Sequence, residues 1–241
     1  MSVVTEYARP REFIALAAFL MATIALAIDM MLPAMGQMAI DLELSEPAKI
    51  SWVILGIFAG LIFGQLVFGP LSDAIGRRGS IQIGIVIFLI GTGVCALTES
   101  FETLIAGRGL QCFGGAATRI VTQAMVRDRF AGREMARVMS FVMTIFILVP
   151  IFAPMIGQVV LWFGDWQMLF VTLGGFSAIL LGWFSLRQPE TLTHRRTITV
   201  SHLSEAFQIV LTNEQSLRFT LAAGVSFGGL VSYLSNAQHI F

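Results

Sequence analysis

Three ionisable side chains, Asp29, Arg108 and Arg119, lie inside long apolar stretches of the sequence. These stretches are long enough to cross a lipid bilayer, where a charge near the centre of a helix costs at least about 2.5–3.5 kcal/mol on insertion scales. Such a residue usually faces protein or a water-filled cavity, and it marks a path for protons, ions or substrates. Asp29, Arg108 and Arg119 are therefore the first candidates for chemistry in this chain.

Asp29 and Arg108 are predicted to lie at the same depth in the membrane. If a first span runs outward over 13–35, Asp29 lies about five residues, roughly 7–8 Å, to the outer side of its middle. If a fourth span runs inward over 101–126, Arg108 lies about as far to the outer side of its own middle. We expect the two side chains to approach each other or to share a water-filled cavity, because each lowers the cost of burying the other. The alternative is that each bonds a nearby backbone group or extends to the surface alone.

Arg119 follows Arg108 by eleven residues, about three helical turns, and so lies on nearly the same face of the fourth span. It is also nearer the inner end of that span, where a long side chain can extend its charge to the membrane surface. A cavity position and a surface position are both compatible with the sequence.

A second group of polar residues lies in a very short loop, where residues 69–79 read GPLSDAIGRRG. Gly69 and Gly76 permit a tight reversal of the chain between two helices. Asp73, Arg77 and Arg78 can bind the ends of helices or groups on a neighbouring helix. We therefore expect this loop to do more than carry charge on one side of the membrane.

A third group, Pro150, Pro154 and Gly157, lies within the fifth apolar stretch. Each proline removes a helical hydrogen bond and favours a bend, which a moving helix bundle can use. The alternative is a static kink that serves packing alone, because neighbouring helices can satisfy the freed backbone groups.

The composition requires that these residues be positioned by membrane helices. The chain of 241 residues is 56% hydrophobic and 12% charged, whereas soluble domains carry about a quarter charged residues. The formal net charge is zero, so nothing in the overall balance indicates a nucleic-acid partner. A soluble globule is excluded, and an all-α integral membrane protein is predicted.

Since about 20 apolar residues cross a bilayer as a helix, the sequence predicts seven spans. They cover 13–35, 50–71, 80–98, 101–126, 138–163, 166–186 and 217–241. We therefore expect a short segment over 1–12, a six-helix bundle over 13–186, a linker over 187–216 and a seventh helix over 217–241. Apolar residues recur every three or four positions within 201–211, which predicts an amphipathic helix on the membrane face.

The distribution of basic residues predicts the orientation. With the N-terminus inside, the inner segments hold 12 of the 15 lysines and arginines, and Lys49 alone lies outside. Such a bias is what sets the topology of membrane proteins. We expect a multi-pass protein of the plasma (inner) membrane with a cytoplasmic N-terminus.

These motifs resemble the major facilitator superfamily, specifically its twelve-span drug:proton antiporters of the bicyclomycin-resistance and chloramphenicol-efflux type. The residues that match the loop signature GxLaDrxGrr are Gly69, Leu71, Asp73, Gly76, Arg77 and Arg78. Those similar to the fourth-span signature RxxqGxgxA are Arg108, Gln111, Gly114 and Ala116. Pro150, Pro154 and Gly157 resemble the fifth-span antiporter signature, and residues 29–34 resemble the first-span segment DmYLPA.

The resemblance implies the N-terminal half of a secondary transporter that exports drugs or other small lipophilic molecules by alternating access. It implies that Asp29 and Arg108 couple transport to protons, that residues 69–78 form a conformational-switch loop, and that the proton gradient replaces any cofactor. The expected partners are a small-molecule substrate, protons, the lipid bilayer and a C-terminal bundle or second chain that completes the cavity.

Two other functions stay open on the sequence. One is a dedicated exporter of a single metabolite, such as a sugar or an amino acid, and the other is a nontransporting, truncated membrane module. An enzyme is not expected, because no nucleophile and base, metal-ligand cluster or phosphate-binding loop is evident. The three histidines, His194, His202 and His239, are scattered rather than grouped as metal ligands.

Overall fold

The structure is a computed structural model, and it describes residues 10–44, 46–193, 208 and 212–240. The described residues form helices and no β-strand, which confirms the all-α prediction. The eight α-helices are α1 (Pro10–Asp29), α2 (Met35–Asp41), α3 (Trp52–Ile75), α4 (Arg77–Leu97), α5 (Phe101–Arg129), α6 (Gly132–Leu161), α7 (Gln167–Arg187) and α8 (Glu214–Ile240). Two 3-10 turns, Leu32–Ala34 and Pro47–Ser51, precede α2 and α3.

Five helical stretches of the described chain are long and apolar enough to cross a membrane. They are Pro10–Asp41, Lys49–Ile75, Arg77–Leu97, Gly132–Leu161 and Gln167–Arg187. The predicted fourth and seventh spans, α5 and α8, are less apolar and are not among the five. For α5 the reason is its position, because it packs against α1, α3 and α4 and turns its polar side chains toward them.

The first predicted span is not one continuous helix. The chain leaves the α-helix after Asp29, passes through the 3-10 turn Leu32–Ala34 and resumes as α2. Pro33 explains the interruption, because its ring removes a backbone donor and disfavours helical geometry at the preceding residue. Asp29 consequently lies at the end of a helix rather than within one.

Glycines allow α5 to approach its neighbours closely. Gly60 of α3 faces the backbone of Gly109, and a Cβ placed on it would lie closer than 3.0 Å to that carbonyl. On the other side of α5, Gly91 of α4 makes an equally close approach to the backbone of Gln111. Small residues at helix crossings are the usual means of packing membrane helices, and here they hold α5 at the centre of the bundle.

Residues 197–241 form a compact unit separate from residues 1–196, and α8 is the helix described in it. The Asn213 side chain caps α8 by accepting a hydrogen bond from the Ser216 N–H at 3.0 Å. The predicted amphipathic segment over 201–211 lies outside the described residues except for Gln208, and residues 1–9 of the predicted N-terminal segment also lie outside them.

Candidate functional site

Arg108 is the most deeply buried charge of the bundle, with a relative exposure of 0%. Its Nη2 donates a hydrogen bond to the carbonyl of Ala27 at 2.5 Å, and its Nη1 donates to Oε1 of Gln111. The guanidinium carbon lies 5.5 Å from the centre of the Phe170 ring, within the range of a cation–π contact. Every group that stabilises Arg108 in the described part of the chain is therefore formally neutral.

The interruption after α1 supplies the acceptor for Arg108. Carbonyls in the last turn of a helix run out of backbone donors, and they carry the partial negative charge of the helix dipole. The carbonyl of Leu26 accepts from the Met30 N–H at 3.0 Å, whereas that of Ala27 accepts from Arg108. The end of α1 thus provides both a hydrogen-bond acceptor and a favourable dipole for the buried cation.

Asp29 lies two residues beyond this acceptor, and its side chain is half-buried. Within the described residues its carboxylate forms no hydrogen bond or ion pair, so a direct Asp29–Arg108 pair is not observed. The two terminal nitrogens of Arg108 each bind one neutral acceptor, and its buried Nε has no hydrogen-bond partner among the described residues. The sequence could not reveal the Ala27 carbonyl as the acceptor, because every residue type has the same backbone carbonyl.

Gln111 extends the polar contacts of Arg108 to α4. Its Nε2 donates to Oγ1 of Thr92 at 2.8 Å, and that hydroxyl donates to the Phe88 carbonyl at 2.7 Å. Gly114, one helical turn further along α5, serves packing, because a Cβ there would lie closer than 3.0 Å to the backbone of α4. The fourth-span motif therefore combines two polar residues with one contact glycine.

The antiporter-type motif on α6 packs against the interruption that follows Asp29. A Cβ on Gly157 would lie closer than 3.0 Å to the Met30 carbonyl oxygen and 3.2 Å from Pro33. The helix continues through Pro150 and Pro154 without a break in its assignment, so the prolines remove backbone donors within one helix. Gly157 is the member of this motif that touches the region of Asp29.

The predicted switch loop is shorter than expected, because α3 extends through Gly69 and Asp73 to Ile75 and α4 begins at Arg77, so that Gly76 alone separates the two helices. This junction, still called the loop below, contains a dense set of charged contacts. Arg77 donates to Asp73 at 2.6 Å, to Asp128 at 2.9 Å and to the Ser72 hydroxyl at 2.6 Å. The Ser72 hydroxyl in turn donates to the Gly69 carbonyl at 2.8 Å. Asp128 lies near the end of α5, so Arg77 ties the loop to the central helix; the sequence did not predict this partner.

Glu190, which follows α7, binds the start of α4 and was also missed from the sequence. Its carboxylate accepts from the backbone N–H groups of Arg77 at 2.9 Å and Arg78 at 3.1 Å, the first residues of that helix. Gly76 has a φ of +104°, and a Cβ there would lie closer than 3.0 Å to the carboxylate. An acidic residue shortly after the end of α7, between Arg187 and Arg195, was the available signal, since helix N-termini bind anions.

Arg78 and Arg119 are the remaining charged residues that the sequence singled out. Arg78 donates to the Ser185 carbonyl of α7 at 2.6 Å. Arg119 is half-buried on α5, and its guanidinium carbon lies 5.4 Å from the centre of the Phe146 ring of α6. Among the described residues, no three His, Cys, Asp or Glu side chains are grouped to hold a metal ion.

The chain is similar to proteins of one known family. Residues 15–240 match the model of the Major Facilitator Superfamily. An uncharacterized MFS-type transporter of Bacillus subtilis, YdgK, is 33% identical over 90% of this chain and 54% of its own length. The bicyclomycin resistance protein homolog of Haemophilus influenzae is 29% identical over 89% of this chain and 54% of its own length. The multidrug resistance protein MdtL of Klebsiella pneumoniae is 31% identical over 73% of this chain and 45% of its own length.

A solved structure shares the fold. The human organic anion transporter MFSD10 matches 82% of this chain and 53% of its own chain, with a TM-score of 0.60 and 20% identity. The chain spans about half the length of the curated relatives it matches.

Proposed function

The chain belongs to the major facilitator superfamily, whose members are membrane transporters and not enzymes, and on that premise we propose that it supports proton-coupled drug export. Small lipophilic molecules leave the cell in exchange for protons by alternating access. Asp29 binds and releases the proton, and Arg108 responds to the charge of Asp29.

The burial of Arg108 among neutral groups is the observation that carries this proposal. A cation that is shielded from water and lacks a bound counter-ion interacts strongly with any charge that forms nearby. Asp29 lies two residues from the Ala27 carbonyl that holds Arg108, and it ends α1 at the interruption. Ionisation of Asp29 therefore attracts Arg108 toward the end of α1, and protonation removes that attraction.

The relatives support the proposed substrate class and the proposed second bundle. Two of them are named for resistance to bicyclomycin or to multiple drugs, which supports a lipophilic drug as substrate. The chain spans about half the length of these relatives, so alternating access requires a second bundle, supplied by a longer chain or a second copy. The concentration of basic residues at one side supports a plasma (inner) membrane location with the N-terminus in the cytoplasm.

The contacts of Arg77 with Asp73 and Asp128 support a conformational role for the loop. In this proposal the network holds the loop ends of α3, α4 and α5 together in one access state. It rearranges when the two bundles of the transporter move apart at that side.

The test is proton-driven efflux in inverted membrane vesicles that contain the complete gene product. Asp29→Asn is expected to abolish efflux across a panel of lipophilic cytotoxic compounds, while gradient-independent exchange of the same compounds continues. Asp165→Asn, which neutralises an exposed acid in the segment between α6 and α7, should leave both activities unchanged. Undiminished proton-driven efflux by Asp29→Asn would contradict the proposal, and wild-type protein that exports none of the panel would contradict the substrate class.

A further inference from the structure

Arg119 lies closer to the middle of α5 than to either of its ends. On α5 (Phe101–Arg129) it is about four residues, roughly 6 Å, beyond the midpoint of the helix. Helical side chains tilt toward the helix N-terminus, which here returns the guanidinium toward the midpoint. The ring beneath it belongs to Phe146, at the centre of α6 (Gly132–Leu161). Of the two positions that the sequence left open, this depth favours the one inside the bundle.

The hydrogen-bonding capacity of Arg119 is unused within the described residues. A guanidinium has five N–H donors, yet Arg119 forms no hydrogen bond or ion pair there, and its stabilising contact is the face of Phe146. Arg77 has two carboxylates and Arg108 has two neutral acceptors, so Arg119 differs from both. Arg119 is only half-buried, so part of its surface is accessible.

The immediate surroundings also favour a polar ligand. Pro150 lacks an N–H, so the carbonyl of Phe146 loses the helical donor that residue 150 would otherwise supply. Unsatisfied polar groups within a membrane span occur where they line a water-filled cavity or meet a partner. An aromatic ring stabilises one face of a guanidinium but does not replace the acceptors that its edge requires.

We propose that Arg119 and Phe146 form a substrate subsite for a carboxylate group on an otherwise lipophilic molecule. The edge of the guanidinium binds the two carboxylate oxygens side by side, a geometry that matches arginine and not lysine. The apolar body of the substrate packs against Phe146 and the neighbouring Met143 of α6. This subsite deepens the proposed drug export, on which it rests, by naming lipophilic carboxylic acids as a substrate class.

The test measures binding rather than transport, so it does not depend on proton coupling. The complete gene product in lipid nanodiscs is titrated separately with tritiated 1-pyrenebutyrate and with its tritiated methyl ester, and specific binding of each is defined by displacement with the same unlabelled compound. Arg119→Gln is expected to weaken binding of the acid about ten-fold and to change binding of the ester less than about two-fold. Arg119→Lys should recover only part of the loss, because lysine lacks the two-pronged geometry.

Arg133→Gln is the matched control, since it removes an equal charge from an exposed position on α6 and should leave both affinities unchanged. Equal weakening of acid and ester by Arg119→Gln would overturn the subsite, because the loss would then not depend on the carboxylate of the ligand. Wild-type protein that binds the ester but not the acid would also overturn it. Loss of proton-driven efflux in Asp29→Asn with intact binding of the acid separates the two proposals.

Discussion

Arg77 and Arg108 are both buried arginines, yet their surroundings differ in charge. Arg77 contacts the carboxylates of Asp73 and Asp128 at 2.6 and 2.9 Å. Arg108 contacts a backbone carbonyl, an amide oxygen and an aromatic ring. The positive charge of Arg77 in the loop is therefore neutralised by two carboxylates. The positive charge of Arg108 at the bundle centre has only neutral partners, so its energy depends on whether a negative charge forms nearby. One arrangement suits a fixed link between helices, and the other suits a sensor of protonation.

Removing a charged residue should therefore have different effects in the loop and at the bundle centre. Removing a group from a compensated network leaves its partners unsatisfied, so stability falls. Replacing buried Arg108 by an apolar residue removes the cost of burying a cation but also leaves its neutral acceptors unsatisfied, so the two effects on stability oppose each other. Variants of the loop should therefore be recognised first by stability, and variants of the bundle centre first by transport.

The largest expected effect comes from Arg108→Leu. It should lower proton-driven efflux about 30-fold or more, because the charge that responds to Asp29 is lost. The thermal midpoint should change little, because relief from burying a cation opposes the loss of the hydrogen bonds to Ala27 and Gln111. Vesicle efflux and thermal unfolding of the purified protein measure the two quantities.

Arg108→Lys sharpens the result, because lysine keeps the charge but cannot reach the Ala27 carbonyl and Gln111 with two diverging nitrogens. It should transport poorly despite its charge. Full efflux by Arg108→Leu would remove the distinction between the two arginines.

A smaller effect is expected from Gly157→Ala, which tests whether the region after Asp29 depends on close packing by α6. The added Cβ would lie closer than 3.0 Å to the Met30 carbonyl, and a backbone obstacle cannot rotate away. The free energy of unfolding should fall by about 3 kcal/mol, as overpacking usually costs 1–3 kcal/mol. Titration with sodium dodecyl sulfate measures it.

Gly182→Ala on α7 is the control for this prediction, because a Cβ there meets no atom within 4 Å. Equal stability of the Gly157→Ala and Gly182→Ala variants would show that α6 does not press on the interruption after Asp29.

The smallest expected effect is that of Glu190→Ala in the loop network. The N–H groups of Arg77 and Arg78 lose their acceptor at the start of α4, so the free energy of unfolding should fall by about 1–2 kcal/mol. The same titration measures this change. Glu214→Ala, which removes an exposed acid paired with Arg218, should change the value by less than about 0.5 kcal/mol. If Glu190→Ala does not lower the free energy of unfolding, the charged contacts of the loop do not stabilise the fold as a network.

Residue types predicted the elements better than they predicted the contacts. Apolar runs located the ends of the long helices to within six residues, since length and hydropathy decide which segments cross a membrane. The predicted equal depth of Asp29 and Arg108 agrees with the contact of Arg108 at the end of α1. Pro33 carried the signal for the interruption, which the predicted span over 13–35 passed over.

The partners of the charged residues could not be predicted in the same way. Arg108 binds a backbone carbonyl, a group that every residue has, so Ala27 was indistinguishable from its neighbours. Glu190 binds backbone N–H groups 113 and 112 residues away, and no local pattern records such a distance. Contacts that depend on the packing of several helices become visible only in the folded bundle.

The most direct test of the central claim is release of protons when substrate binds to the purified complete gene product. A pH-sensitive dye in weakly buffered solution, with an exported compound as ligand, reports the release. The account predicts that wild-type protein and Glu190→Ala release protons on binding, and that Asp29→Asn releases none. Equal proton release by Asp29→Asn and wild-type protein would contradict the assignment of Asp29 as the proton carrier beside Arg108.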